Sequence, residues 1–196
     1  MKHTFLLCSA LFLVGASAFA GTETYKIDPV HSTIGFKIRH FFSKVGGRFN
    51  EVAGTIQGDP AKPDDAQVSV TIQTKSIDTA EAKRDTHLRS PDFFDVEKFP
   101  AMTFVSKKVT RTGDNTADVT GDLTLHGVTK DVTLKVTFLG KGKTMNEAIT
   151  TGWEATTKIK RSEFGLTWNK VVEGTSAVGD DVEIELQVEA ALVKAG

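Results

Sequence analysis

The chain has 196 residues, a formal net charge of −1 and one cysteine, Cys8. A near-neutral chain without a basic block lacks the electrostatic footprint of a nucleic-acid binder. A single thiol permits neither an intrachain disulfide nor a cysteine-ligated zinc centre.

In chain order, Lys2 precedes a short apolar run over residues 4–14, and Ala18-Phe19-Ala20 follows it. This is the pattern of a secretory leader, with cleavage expected after Ala20. The run is too short, and too soon followed by polar residues, to span a bilayer. Cys8 lies inside the run and not after the cleavage point, so no lipid anchor is expected on it. Cleavage would leave residues 21–196 as a thiol-free secreted domain, large enough to bury a core without disulfides. Neither a polybasic nor an amphipathic helix marks it for stable membrane insertion. A homodimer is compatible with the sequence.

Beyond the leader the dominant signal is alternation at period two, the mark of a half-buried strand. Ser32, Ile34, Phe36, Ile38 and His40 share one face of the first such strand. The pattern returns with Val68, Val70 and Ile72, then with Ala117, Val119, Gly121, Leu123 and Leu125. Further on come Val132, Leu134, Val136 and Phe138, then Trp153, Ala155, Thr157, Ile159 and Arg161. Val182, Ile184, Leu186 and Val188 close the series. Weaker strands are expected over 47–58, where glycines permit a bend, and over 101–110, centred on Phe104. Turn-rich segments such as Leu125-His126-Gly127-Val128 join them.

About eight strands with apolar inner faces and charged outer faces imply an antiparallel sheet closed on itself, in preference to a sandwich. At about ten residues each they would extend roughly 33 Å. Such a barrel either fills with its own side chains or holds one elongated ligand. Small inner positions (Ala117, Gly121, Ala155, Thr157) favour room inside.

Residues 84–104 break the pattern by mixing aromatics with charges. A helix is expected from Glu81 to Leu88, capped by Asp78 or Thr79 and stopped by Pro91. A short turn from Asp92 to Lys98 would end before Pro100. The segment is then a helical crossover that closes one end of the barrel, with Phe93, Phe94 and Phe99 facing the tunnel or its mouth.

For catalysis the chain offers little. His31, His40, His87 and His126 show no metal-ligand spacing. There is no nucleophile elbow and no phosphate-cradling loop. Asp85 and His87 near Ser90 are the one arrangement that suggests a hydrolase, and nothing marks Ser90 as activated. No catalytic residue and no metal are expected.

Several blocks, in order, carry a family resemblance. They are Tyr25 to Phe36, Gly47-Arg48-Phe49, Arg84 to Asp95, Gly121 to Lys130, Arg161 to Gly165 and Val178 to Val182. Together they resemble the YceI family of periplasmic, lipocalin-like polyisoprenoid-binding proteins. The resemblance implies an eight-stranded antiparallel barrel with a short helical insertion. It also implies an apolar tunnel for an isoprenoid or fatty-acid-like chain, such as a polyprenyl phosphate or a quinone tail. The bound lipid would stand in place of any other cofactor, in transport, storage or a stress response.

A site for such a chain needs apolar walls and few polar anchors. The inward residues Ile34, Phe36, Ile38, Val70, Ile72 and Leu123 supply walls, with Leu125, Val136, Phe138, Trp153 and Ile159. His40 stands at the inward end of its strand. The aromatics Phe42, Phe93, Phe94, Phe99, Phe104 and Phe164 would line or gate the tunnel. The same residues would equally make a filled core, and a filled interaction barrel is the alternative; an enzyme using His87 and Asp85 is a more distant one. Arg161 would either hold a head group or form a structural ion pair with Asp85 or Asp92.

Overall fold

The computed structural model describes residues 21–59 and 62–193; the leader expected over 1–20 lies outside them. The alternating segments become strands β1 (Glu23–Ile27), β2 (Thr33–His40), β3 (Ser43–Phe49), β4 (Val52–Asp59), β5 (Lys62–Gln73) and β6 (Ile77–Asp78). Helix α1 (Ala82–Arg89) follows. Then come β7 (Ala101–Arg111), β8 (Thr116–Leu125), β9 (Val128–Lys143), β10 (Ile149–Lys160), β11 (Val171–Val172), β12 (Thr175–Ser176) and β13 (Val178–Leu192). No helix among the described residues is long and apolar enough to cross a membrane.

Two staves of the barrel are each built from two strands. Pro29 has no amide hydrogen and interrupts the first stave between β1 and β2. Asp28 turns the chain by accepting the Val30 amide. The Ser32 hydroxyl then keeps the edge paired, donating to the Glu189 carbonyl and accepting the Glu189 amide. The second stave breaks at Asn50-Glu51, whose amides turn aside to the Ser76 carbonyl and hydroxyl. The weak strand expected over 47–58 is thus two strands meeting at a break. With β1+β2 and β3+β4 each taken as one stave, the antiparallel order runs β1+β2, β3+β4, β5, β7, β8, β9, β10, β13. Long β13 closes the circle against β1 (Tyr25↔Leu192) and β2 (Leu186↔Ile34). The result is a closed eight-stranded barrel, as the alternation implied.

Turn chemistry fixes the register. Leu125 pairs with Val128, leaving His126 (φ 51°) and Gly127 (φ 76°) as a two-residue hairpin with both φ positive, the loop that matches strand twist. A side chain at Gly127 would also strike the Phe99 ring at 2.6 Å.

Gly121 does not leave room inside. A Cβ there would lie 2.7 Å from the Phe104 ring and 2.4 Å from the Val105 carbonyl, so its space is already taken.

The crossover is locked by the charges that crowd its sequence. The Glu81 carboxylate caps α1 by accepting the Lys83 and Arg84 amides. Asp78 and Thr79, the expected caps, do not serve. Thr79 instead donates its amide and hydroxyl to buried Asp85. Arg84 donates to the Thr79 hydroxyl and carbonyl, and Arg89 to the carbonyls of Lys75 and Ile77. Beneath this clamp Phe49, Val52, Ile77, Met102, Leu125 and Phe164 form a buried cluster. Ile77 and Phe164 are fully buried, worth about 1.5–3 kcal/mol each. Beyond the β6 contact at Arg48 and Phe49, the outer edge of β3 from Ser43 to Gly47 has no strand partner among the described residues.

Candidate functional site

The side chains do not fill the barrel. A cavity of about 670 Å³ reaches from His40, Trp168 and Val178 at the crossover end to Ile56, Val109 and Ala117 near the other. The walls follow from the strand register. Ile34, Phe36 and Ile38 of β2 stand opposite Leu186, Ile184 and Val182 of β13, and all six line the cavity. Across the barrel, Val70 and Ile72 of β5 pair with Phe104 and Met102 of β7, and these four also line it. Leu123, Leu125, Val136, Trp153 and Ile159 complete the expected walls, and Phe93, Phe94 and His40 border the crossover end.

Four expected aromatics are elsewhere. Phe42 sits at the tip of the β2–β3 hairpin and is 94% exposed, because the two-residue turn takes it off the strand's inward phase. Phe99 packs on His126, 4.4 Å between ring centroids, against the β8–β9 turn. Phe138 stacks beside Trp153 at 4.6 Å without lining the cavity; the register of β9 on β10 shifts beside this pair. Phe164, 1% exposed, belongs to the packed cluster.

The inner face of β13 was legible in its alternation as Val182, Ile184, Leu186 and Val188, yet these residues join the site only in the structure. Arg39, Lys83, Arg84 and His87 likewise join it only in the structure, beside the expected His40 and Arg161. Among the described residues, every ionisable side chain that lines the cavity is basic: Arg39, His40, Lys83, Arg84, His87 and Arg161 at the crossover end and Arg111 near the other, with no carboxylate.

Arg161 is 6% exposed. Its Nε donates to the Gly179 carbonyl at 2.8 Å, and its Nη1 to the carbonyls of Leu166 and, at 2.9 Å, Trp168. The ion pair expected with Asp85 or Asp92 does not form. Asp85 is spent on Thr79, and Asp92 lies 2.8 Å from His87 Nε2. Burial pulls the Arg161 pKa below its ordinary value, and the Asp180 charge opposes that pull. A guanidinium stays protonated through such a change. Nη2 makes no hydrogen bond to a described residue, while the side chain lines the cavity. It is a charged donor at the wall of an apolar space.

His87 stands edge-on to Phe93 and Trp168, 5.0 and 4.9 Å between centroids. Its ring pairs with Asp92, and the Ser90 hydroxyl donates to the His87 backbone carbonyl, not to the ring. Asp85, His87 and Ser90 therefore form no proton relay. Among the described residues no three His, Cys, Asp or Glu side chains gather as metal ligands would.

The family described as YceI-like domain matches residues 25–190. A UPF0312 protein of Pseudomonas putida is 40% identical over 195 residues, covering 96% of this chain and 97% of its own. The crystal structure of BcnA from Burkholderia cenocepacia superposes with a TM-score of 0.75 at 28% identity, covering 83% of this chain and 98% of that one. A polyisoprenoid binding domain from Saccharophagus degradans shares the fold, with a TM-score of 0.62 at 18% identity over 86% of this chain and 98% of its own.

Proposed function

The chain belongs to the YceI-like domain family, and from that premise we propose that it binds one extended amphiphilic lipid of isoprenoid type in its barrel. One observation carries the reading: an apolar cavity of about 670 Å³ whose charged lining is wholly basic. A barrel filled by its own side chains would leave no such space. The Saccharophagus degradans domain of the same fold, described as polyisoprenoid binding, lends support.

The tail lies along the walls of β2, β5, β7 and β13. Each methylene transferred from water is worth roughly 0.8 kcal/mol, so a long tail binds tightly with little polar specificity. The head group lies at the crossover end, where Arg161 Nη2, Arg84 and His87 meet an anionic phosphate or a quinone carbonyl. The bound lipid takes the place of another cofactor. In this proposal the leader at residues 1–20 sends the protein to the periplasm, where it shields the tail from water during transport or storage.

Native mass spectrometry of protein purified from its own host, with organic extraction, tests the reading. One long-chain lipid per barrel is expected. An empty barrel that also takes up no polyprenyl phosphate or quinone in vitro overturns it.

A further inference from the structure

The crossover-end mouth carries apolar side chains on its outside as well as its inside. At the β2–β3 tip, His40 pairs with Ser43 and leaves Phe41-Phe42 as the turn. Phe41 is held at φ 46°, a left-handed conformation costly for a bulky residue. Phe42 stands in solvent. Next to it the β11–β12 hairpin exposes Val171 (64%) and Val172 (43%). The β2–β3 tip is tied to the base of the β11–β12 hairpin. The Phe41 amide donates to the Ala177 carbonyl at 2.9 Å, and Arg39 Nη1 donates to the carbonyls of Phe41 and Ser176 at 2.9 and 3.1 Å.

The surrounding charge is mainly positive. Arg39, Lys83, Arg84 and Lys170 form no ion pair among the described residues, whereas Lys44 is paired with Glu183. The acidic groups at this end are Glu173 in the β11–β12 turn, Asp92 paired with His87, and Glu81 held on the α1 amides. Arg39, Lys83 and Arg84 also line the cavity, so this basic rim is continuous with the tunnel mouth.

We propose that this end of the barrel docks on the surface of an anionic phospholipid bilayer, with Phe42 and Val171 entering the head-group boundary and the basic rim meeting lipid phosphates. Apolar side chains beside lysine and arginine are the chemistry of reversible interfacial binding. Docking there sets the tunnel mouth against the layer from which a lipid leaves water-free. A protein partner would need a larger complementary face than two hairpin tips. The inference rests on the lipid-carrier reading for its purpose and not for its geometry.

The test is co-sedimentation of the purified chain with phosphatidylglycerol vesicles and with phosphatidylcholine vesicles. Phe42→Ser and Val171→Ser alter exposed positions, and circular dichroism checks that both variants remain folded. Binding to phosphatidylglycerol is expected to exceed binding to phosphatidylcholine and to fall with salt, and each substitution is expected to weaken it about tenfold. Native mass spectrometry of Phe42→Ser should still show the tunnel lipid, which separates loss of docking from failure of the carrier reading. Absence of wild-type binding, or binding untouched by both substitutions, overturns the docking. So does self-association that depends on Phe42 without any vesicle binding, which would assign the tip to a second copy of the chain.

Discussion

Replacing Arg161 by methionine should unfold the mouth of the barrel from the inside. Methionine keeps most of the apolar stem and removes only the guanidinium, whose bonds run to the carbonyls of Gly179, Leu166 and Trp168. Hydrogen bonds from a charged donor contribute about 1.5–3 kcal/mol each, so three of them set a ceiling near 5–9 kcal/mol. Water at the mouth resolvates part of the orphaned carbonyls, which brings the expected loss to about 3–5 kcal/mol. With a urea m-value of about 2 kcal/mol per molar, the unfolding midpoint falls by roughly 2 M. Tryptophan fluorescence follows the transition directly, because Trp168 lies on the same loop as the broken bonds. Arg161→Lys should recover only part of the loss, since one ammonium does not span three carbonyls set for a planar fork. A midpoint shift below about 0.5 M for Arg161→Met would refute the claim that these bonds hold the segment from Leu166 to Gly179.

Three other outcomes follow from the same structure. Ala155 faces the cavity between Val136 and Leu186; Ala155→Trp should shorten the longest isoprenoid retained in native mass spectra, and unchanged chain lengths would remove it from the tunnel wall. Gly127→Ala, strained by its positive φ and by contact with Phe99, should cost about 1–3 kcal/mol in thermal or urea melts. Hydrogen bonds from Lys141, then Tyr25, hold the Glu23 carboxyl below its usual range, and the Glu23 bond, then Tyr25, raises Lys141. The pair's contribution is therefore present at neutral pH. It is lost on the acid side as pH falls through the lowered Glu23 value, and on the alkaline side as pH rises through the raised Lys141 value. Lys141→Met should be less stable by about 1 kcal/mol or less at pH 7, discounted for exposure. The gap should narrow as pH falls through the ordinary carboxyl range and close only below the lowered Glu23 value. A gap that persists in acid would assign the effect to the lysine stem.

What the sequence disclosed depended on whether a residue's role is set by its own side chain or by a partner's backbone. Ile34, Phe36 and Ile38 announce their face through alternation, and the barrel places them as that pattern requires. Alternation restarts at every turn and shifts at every bulge. It therefore misplaces Phe42, inside a hairpin turn, and Phe138, beside a register shift. The partners of Arg161 are three carbonyls, groups that every residue carries, so no motif could single them out. The α1 cap went to Glu81 because Asp85 draws Thr79 away, a competition decided by burial and invisible in a helix-start pattern. The basic lining collects residues from β2, α1, β7 and the turn that follows β10, which lie far apart in the chain and meet only when the sheet closes.

The unpartnered edge of β3 from Ser43 to Gly47 has a consequence for how the wall breathes. On its inner side each of these residues is laddered to β2; on the other, no strand holds it until Arg48 and Phe49 reach β6. Amide hydrogens directed away from β2 here should exchange with solvent on the timescale of local fluctuation, while those between β8 and β9 wait for global unfolding. The barrel thus has a side along which it can part briefly while the rest of its hydrogen bonds stay closed.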